Sequence, residues 1–328
     1  MSRTIFLAGL TALMAVAVQS APAQAQLART WVSNVNGNDA NDCNRLTPCR
    51  TFQRAHDNTL ALGEISVLDP GAYGGVTITK GISIINDGVG EAGMLVSGGV
   101  AGATINAGAN DHVSLRGITI KGIGFGGGNG IVVGSVGSLS VENSVIRNMT
   151  NAQSQLLGHG IIFNPNGASP AKARLVVSNT LISDNDGHGM SIIPNGSMLV
   201  TGEINRTEVY SNGGHGIVAH VGANFSGNIF VAIANSVAGG NNFVGFASST
   251  DGGPGFSSLG ITNSVAANNT IAGVSTGNEF HTEVNIGYSM IYFNGAAWPG
   301  ANVTSFGNNI VVRNGGGNPA AAFTLHLL

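Results

Sequence analysis

Apolar positions along the chain come in short runs of Val, Ile, Leu and Ala broken by Gly and Asn, and no stretch carries a helical period. The clearest phrase is Val176–Ile192, VVSNTLISDNDGHGMSI: an apolar run, Asn179-Thr180, two more apolar residues, an Asn/Asp turn, Gly-His-Gly, and a second apolar run. It returns as INRTEVYSNGGHGIVA from Ile204, IANSVAGGNNFVGFA from Ile233 and ITNSVAANNTIAGVS from Ile261. Fainter copies are VENSVIRN from Val141, IGYSMIYFNG from Ile286 and GNNIVVRNGG from Gly307. Positions equivalent to Asn179 fall at Arg206, Asn235, Asn263, Tyr288 and Asn308, in steps of 27, 29, 28, 25 and 20 residues. A loose period around one preserved phrase describes a solenoid with variable loops. One such unit cannot bury its own apolar face, so successive coils must stack. The pattern predicts an all-β chain: a single-stranded right-handed parallel β-helix of roughly ten coils, about 50 Å long at ~4.8 Å per coil.

Before the repeats, Thr51–Leu62 carries apolar or small residues at Phe52, Ala55, Leu60 and Ala61, with Thr51 placed as an N-cap. A short helix there closes the open end of the first coil, where a bare parallel edge would invite aggregation. The apolar tail Ala320–Leu328 is suited to cap the other end. The expected organisation is a signal peptide over 1–25, a leading segment with capping helix over 26–63, the β-helix over 64–319 and a C-terminal cap over 320–328.

Composition narrows the class. Only 9% of the 328 residues are charged, 43% are hydrophobic, and 51 are glycine. Recurrent Val and Ile exclude a disordered chain, which lacks apolar surface to bury. A net charge of −3, no basic stripe, and no Lys or Arg from Thr207 to Val312 exclude a nucleic-acid partner. Arg3, the uncharged run Ile5–Val18 and Ala23-Gln24-Ala25 have the form of a secretory signal cleaved near Ala25. That run is too short to span a bilayer, and no later stretch qualifies, so the mature chain has no membrane span. An exported chain with Cys43 and Cys49 close together predicts a disulfide; two cysteines alone make a poor zinc site.

The segment from Trp31 to Tyr73 carries a specific pattern: Trp31-Val32-Ser33, Gly37-Asn38-Asp39, Cys43, Pro48-Cys49, Thr51-Phe52-Gln53, Ala55, and Asp69-Pro70-Gly71 with Tyr73. It resembles the leading segment of secreted right-handed parallel β-helix repeat proteins of the pectate-lyase-like superfamily, alphaproteobacterial members above all. The resemblance runs through the later repeats. It implies the fold and leaves the activity open, since the superfamily hosts lyases, hydrolases, epimerases, adhesins and inert modules.

Two asparagine series recur. Asn143, Asn179, Asn235 and Asn263 precede the second strand of a coil; Asn148, Asn185, Asn212, Asn241, Asn269, Asn294 and Asn314 follow it. Stacked asparagines bond in ladders and tolerate left-handed backbone angles, which makes both series structural. His159, His188 and His215, in steps of 29 and 27, fall in one register. Three stacked imidazoles could hold a transition metal, but no carboxylate or Cys shares their register, so no metal and no cofactor is assigned. Gly187-His188-Gly189 also looks like the Gly-His-Gly element of polygalacturonases, whose Asn-Thr-Asp, Asp-Asp and Arg-x-Lys motifs are missing here.

The candidates for catalysis are therefore few. Asp184 and Asp186 beside His188 are the only close carboxylate pair in the repeats with a His alongside, as a glycosidase would need. As turn residues they are expected to splay into solvent. Arg206 replaces a ladder Asn between Glu203 and Glu208; it reads as a surface ion pair or as a clamp for a uronate carboxylate. The reading that follows is a secreted, non-catalytic module of the cell envelope or matrix that contacts polysaccharide. Its rival is a carbohydrate-active enzyme, a glycoside hydrolase or polysaccharide lyase.

Overall fold

A computed structural model describes residues 26–151, 157–167, 171–277, 280–300 and 302–316, and the backbone of 323–324. The expected signal peptide and all but two residues of the expected C-terminal cap lie outside these.

Most coils are built the same way. In one of them, Lys172–Ser178 forms the first strand, Leu181–Ser183 the second and Met190–Ile192 the third. Single residues with left-handed backbone, Asn179 (φ 51°) and Asp184 (φ 56°), turn the chain at the two corners around the second strand. Equivalent strands of successive coils pair in parallel, giving sheet A of twelve strands, sheet B of ten and sheet C of eight. The chain is a right-handed parallel β-solenoid, as its repeats predict.

Alternation along each strand turns every second side chain inward. In register these become columns. Ile120, Ile146, Ile182, Val209, Ala238, Ala266 and Ile291 stack along sheet B, each from the coil below to the coil above, and all are buried. A one-residue slip would turn every such side chain to solvent, so the register is strongly held.

The leading segment closes the first coil in a way the sequence shows only partly. Strand Leu27–Val32 pairs with the first coil strand, Thr59–Val67, and forms the edge of sheet A. Helix α1, Phe52–Asn58, is shorter than the apolar pattern to Leu62 suggests. Its last carbonyls are taken by Thr59, whose Oγ1 donates to Ala55 O (2.6 Å) and whose N–H donates to His56 O, and the chain then extends to pair with Leu27. Thr51 is the N-cap, accepting from Arg54 N (3.2 Å), and is itself held by the Asp39 carboxylate (2.9 Å). Phe52 packs on the buried ring of Tyr73, centroids 5.0 Å apart.

Cys43 and Cys49 form the disulfide, buried beneath this cap with their Cα atoms 4.6 Å apart. So short a loop constrains the unfolded chain by only about 2 kcal/mol. The double variant Cys43→Ser/Cys49→Ser is therefore expected to lose hydrogen-exchange protection over residues 26–58 alone, while amides of sheets A–C beyond the second coil keep theirs. Protection lost along the whole rod would contradict this.

Candidate functional site

The corners decide what the polar repeat residues do. At the corner from sheet A to sheet B, Asn143, Asn179, Asn235 and Asn263 all have φ between 47° and 51°. Asparagine is chosen here for its tolerance of left-handed backbone. Its side chains are exposed and do not form one ladder: Asn179 donates to Asn143 (2.9 Å), whereas Asn235 donates to Asn205 (2.9 Å) because Arg206 occupies the corner between them.

The residue after each of these corners forms a column the sequence reading missed. Ser144, Thr180, Thr207, Ser236, Ser264 and Ser289 are buried. The hydroxyl of Ser236 donates to Ala234 O (2.8 Å) and accepts the N–H of Thr207 in the coil before (3.2 Å), and Ser264 repeats this with Thr262 and Ser236. The recurrent Asn-Ser/Thr dipeptide was the available signal.

The second asparagine series is a buried ladder. Asn185, Asn212, Asn241, Asn269, Asn294 and Asn314 are linked amide to amide at 2.9–3.0 Å, each Nδ2 donating to the Oδ1 of the next coil. Asn148 does not belong to it. It sits one position earlier, at the left-handed corner (φ 59°) shared with Asp184, Ser211 and Asn268, and the ladder ends on Met149, whose N–H donates to Asn185 Oδ1 (3.0 Å).

The histidines stack as their spacing predicts. Ring centroids of His159 and His188 lie 5.0 Å apart, His188 and His215 5.1 Å, and Phe243 continues the column at 5.4 Å. Nδ1 of His159 accepts the N–H of His188 (3.0 Å), and Nδ1 of His188 accepts the N–H of His215 (2.9 Å). These nitrogens are occupied as acceptors and the rings are neutral. Burial, then the neighbouring rings of His215 and His159, push His188 down to about 3; burial, then His220, pushes His215 down to about 4. Among the described residues no group of three or more His, Cys, Asp or Glu is arranged to hold a metal.

Asp184 and Asp186 are both exposed. Asp184 accepts from the hydroxyl of Ser183 (2.7 Å), and Asp186 accepts the N–H of Asn151 in the preceding coil (3.0 Å). With His188 facing His215, the three candidates are spent on three separate contacts. Arg206 stands exposed at its corner (φ 49°) in a cleft of about 210 Å³ with Asn179 and Glu208, while Glu203 pairs with Arg174 (2.7 Å). One further set has catalytic residue types: His220 meets Ser249 (2.9 Å) and Asp251 (3.3 Å). The same His–Ser contact across paired strands recurs at His112 and Ser138, which makes it a repeated sheet contact.

The last coils differ. Strand Met290–Tyr292 of sheet B lies between corner residues Tyr288 and Phe293, with a cleft of about 440 Å³ at Tyr288 and another of about 350 Å³ at Phe293.

The fold is that of pectate-lyase-like β-helix proteins. A solved pectate lyase, Pel9A, is similar with a TM-score of 0.51 at 15% identity, over 84% of this chain and 78% of that one. A GH136 lacto-N-biosidase from Eubacterium ramulus gives 0.48 at 10% identity (87% and 68% covered). The A-module of the Azotobacter vinelandii mannuronan C-5 epimerase AlgE4 gives 0.44 at 12% (81% and 89%). No protein-family model and no curated protein matches the chain. Identities this low speak for the fold alone.

Proposed function

We propose that the chain is an exported, non-catalytic β-helix module of the cell envelope or matrix whose outer side contacts polysaccharide. One observation carries the non-catalytic part. The carboxylate pair and its histidine are held in separate contacts: Asp186 to Asn151 and His188 to His215 across coils, and Asp184 to its chain neighbour Ser183. A glycosidase needs an acid and a base or nucleophile converging on one bond, about 5–9.5 Å apart with a groove between. Export rests on the form of residues 1–25 and on the disulfide, which belongs to oxidising compartments. Contact with polysaccharide rests on the exposed Asn, Ser, Thr and aromatic residues along the sides of the rod.

The purified chain from Gln26 is expected to release neither reducing nor unsaturated ends from pectin, alginate or chondroitin. Release that disappears in Asp184→Asn or Asp186→Asn would overturn the reading in favour of a glycoside hydrolase or lyase.

A further inference from the structure

Three corner positions near the C-terminal end carry bulky side chains where, Arg206 apart, the coils from Asn143 onward have Asn, Asp, Ser or Gly. Tyr288 (φ 51°) stands where four coils have Asn; Phe293 (φ 53°) and Arg313 (φ 58°) stand where others have Asn148, Asp184, Ser211, Gly240 or Asn268. Left-handed backbone is unfavourable for bulky side chains, and such residues persist where something other than stability retains them. Tyr288 is 61% exposed and Phe293 59%, so burial does not retain them.

Their placement is coherent. Tyr288 and Phe293 end one strand, about 16 Å apart by strand rise, with Met290 and Tyr292 on the outer face between them. Tyr292 and Phe293 lie together, centroids 6.1 Å apart. In the coil below, Val265 and Ala267 are in register with Met290 and Tyr292 and are smaller, so the rings stand above that side. Amides edge both clefts: Asn263 and Asn308 at Tyr288, and Asn268 at Phe293, where the neighbouring Asn294 is held in the buried ladder. Arg313 closes the second cleft and is the only Lys or Arg after Arg206. The nearest acid on this sheet, Glu208, is three strands away.

We infer that this outer face of sheet B, from Tyr288 to Phe293, is a binding platform for an acidic polysaccharide. The inference rests on the polysaccharide reading above and names the site and the ligand's charge. Aromatic faces take the apolar C–H faces of sugar rings, amides bond hydroxyls, and the guanidinium pairs with a carboxylate or sulfate. The clefts have the size of small-ligand sites, roughly 300–1,000 Å³.

Affinity electrophoresis in polygalacturonate, chondroitin sulfate and neutral galactan tests this, with the triple variant Tyr288→Asn/Phe293→Asn/Arg313→Asn. Asparagine suits each corner, so the variant is expected to melt no lower than the wild type while its binding to an acidic glycan weakens about tenfold or more. Arg313→Asn alone is expected to abolish the preference over galactan. A wild type retarded by acidic glycan and a variant retarded equally would overturn the platform and leave the polysaccharide reading standing. No retardation of the wild type in any of the three gels would overturn both. A wild-type dimer in sedimentation that the triple variant dissociates would mark the face as a contact between copies and overturn the inference.

Discussion

Taken from pH 7 to pH 5, the rod is expected to lose on the order of 4 kcal/mol of stability at the histidine stack. His188 and His215 titrate near 6.5 when unfolded, and burial in the stack lowers them to about 3 and about 4. A base whose folded pKa is depressed is stabilised as the neutral form. Its contribution is complete above pH 6.5 and is lost as pH falls from there toward the folded values. At pH 5 that is about 2 kcal/mol for each ring. Protonation of His188 Nδ1 also removes the acceptor for His215 N–H. The loss is local, since a solenoid coil depends on its neighbours alone. Urea melts of wild type and His188→Asn, which keeps an acceptor and cannot titrate, read the effect. Carboxylates and the buried His56 titrate alike in both proteins and cancel. The variant keeps His215, so the difference expected between the two is the His188 share, about 2 kcal/mol; equal pH dependence would show that His188 contributes nothing to acid lability.

Asn241→Leu is expected to destabilise by about 4 kcal/mol or more, the largest effect of any exchange at a polar repeat position. The Asn241 amide accepts from Asn212 N (3.2 Å) and Asn212 Nδ2 (2.9 Å), and donates to Asn269 Oδ1 (2.9 Å) and Val209 O (3.1 Å). All the partners are buried; the exchange leaves the Asn212 N–H and one Asn212 Nδ2 hydrogen without this acceptor, at about 1–3 kcal/mol each, while Asn269 Oδ1 keeps the Asn241 N–H (3.1 Å). Leucine also has to fit where an amide lay flat between two others. Asn263→Ala, at an exposed corner, forfeits only the left-handed preference, about 1 kcal/mol. Similar midpoint shifts for the two in urea would refute the distinction between ladder and corner.

That distinction is the part of the site least readable from the chain. Asn148 and Asn185 occupy the same kind of phrase, each close after a short strand that opens with two apolar residues, Val145–Arg147 and Leu181–Ser183. Whether such an Asn turns inward to a ladder or outward at a corner depends on a shift of one residue, and one residue reverses the face. The inward column was further disguised by its Met149 end, and the Ser/Thr column by hydroxyls that read as ordinary turn residues. Likewise Tyr288 and Phe293 look like two aromatics in a fading repeat. Their interest lies in a positive φ and in the coil above and below, neither of which a linear pattern carries.

What the sequence determined by itself is the architecture. The spacing of apolar triplets between Gly and Asn imposes strands, a period near 28 residues imposes stacking, and paired cysteines in the leading segment allow one loop closure. These follow from local periodicity, which survives variable loops. Only the tertiary structure decided which polar side chains face each other, because those contacts join residues 20–36 positions apart through exact coil register. It placed Asp186 and His188 in separate contacts, though only Gly187 parts them in the chain. It gathered Tyr288, Phe293 and Arg313 on one face, because stacking brings every coil to the same position within about 5 Å of the next.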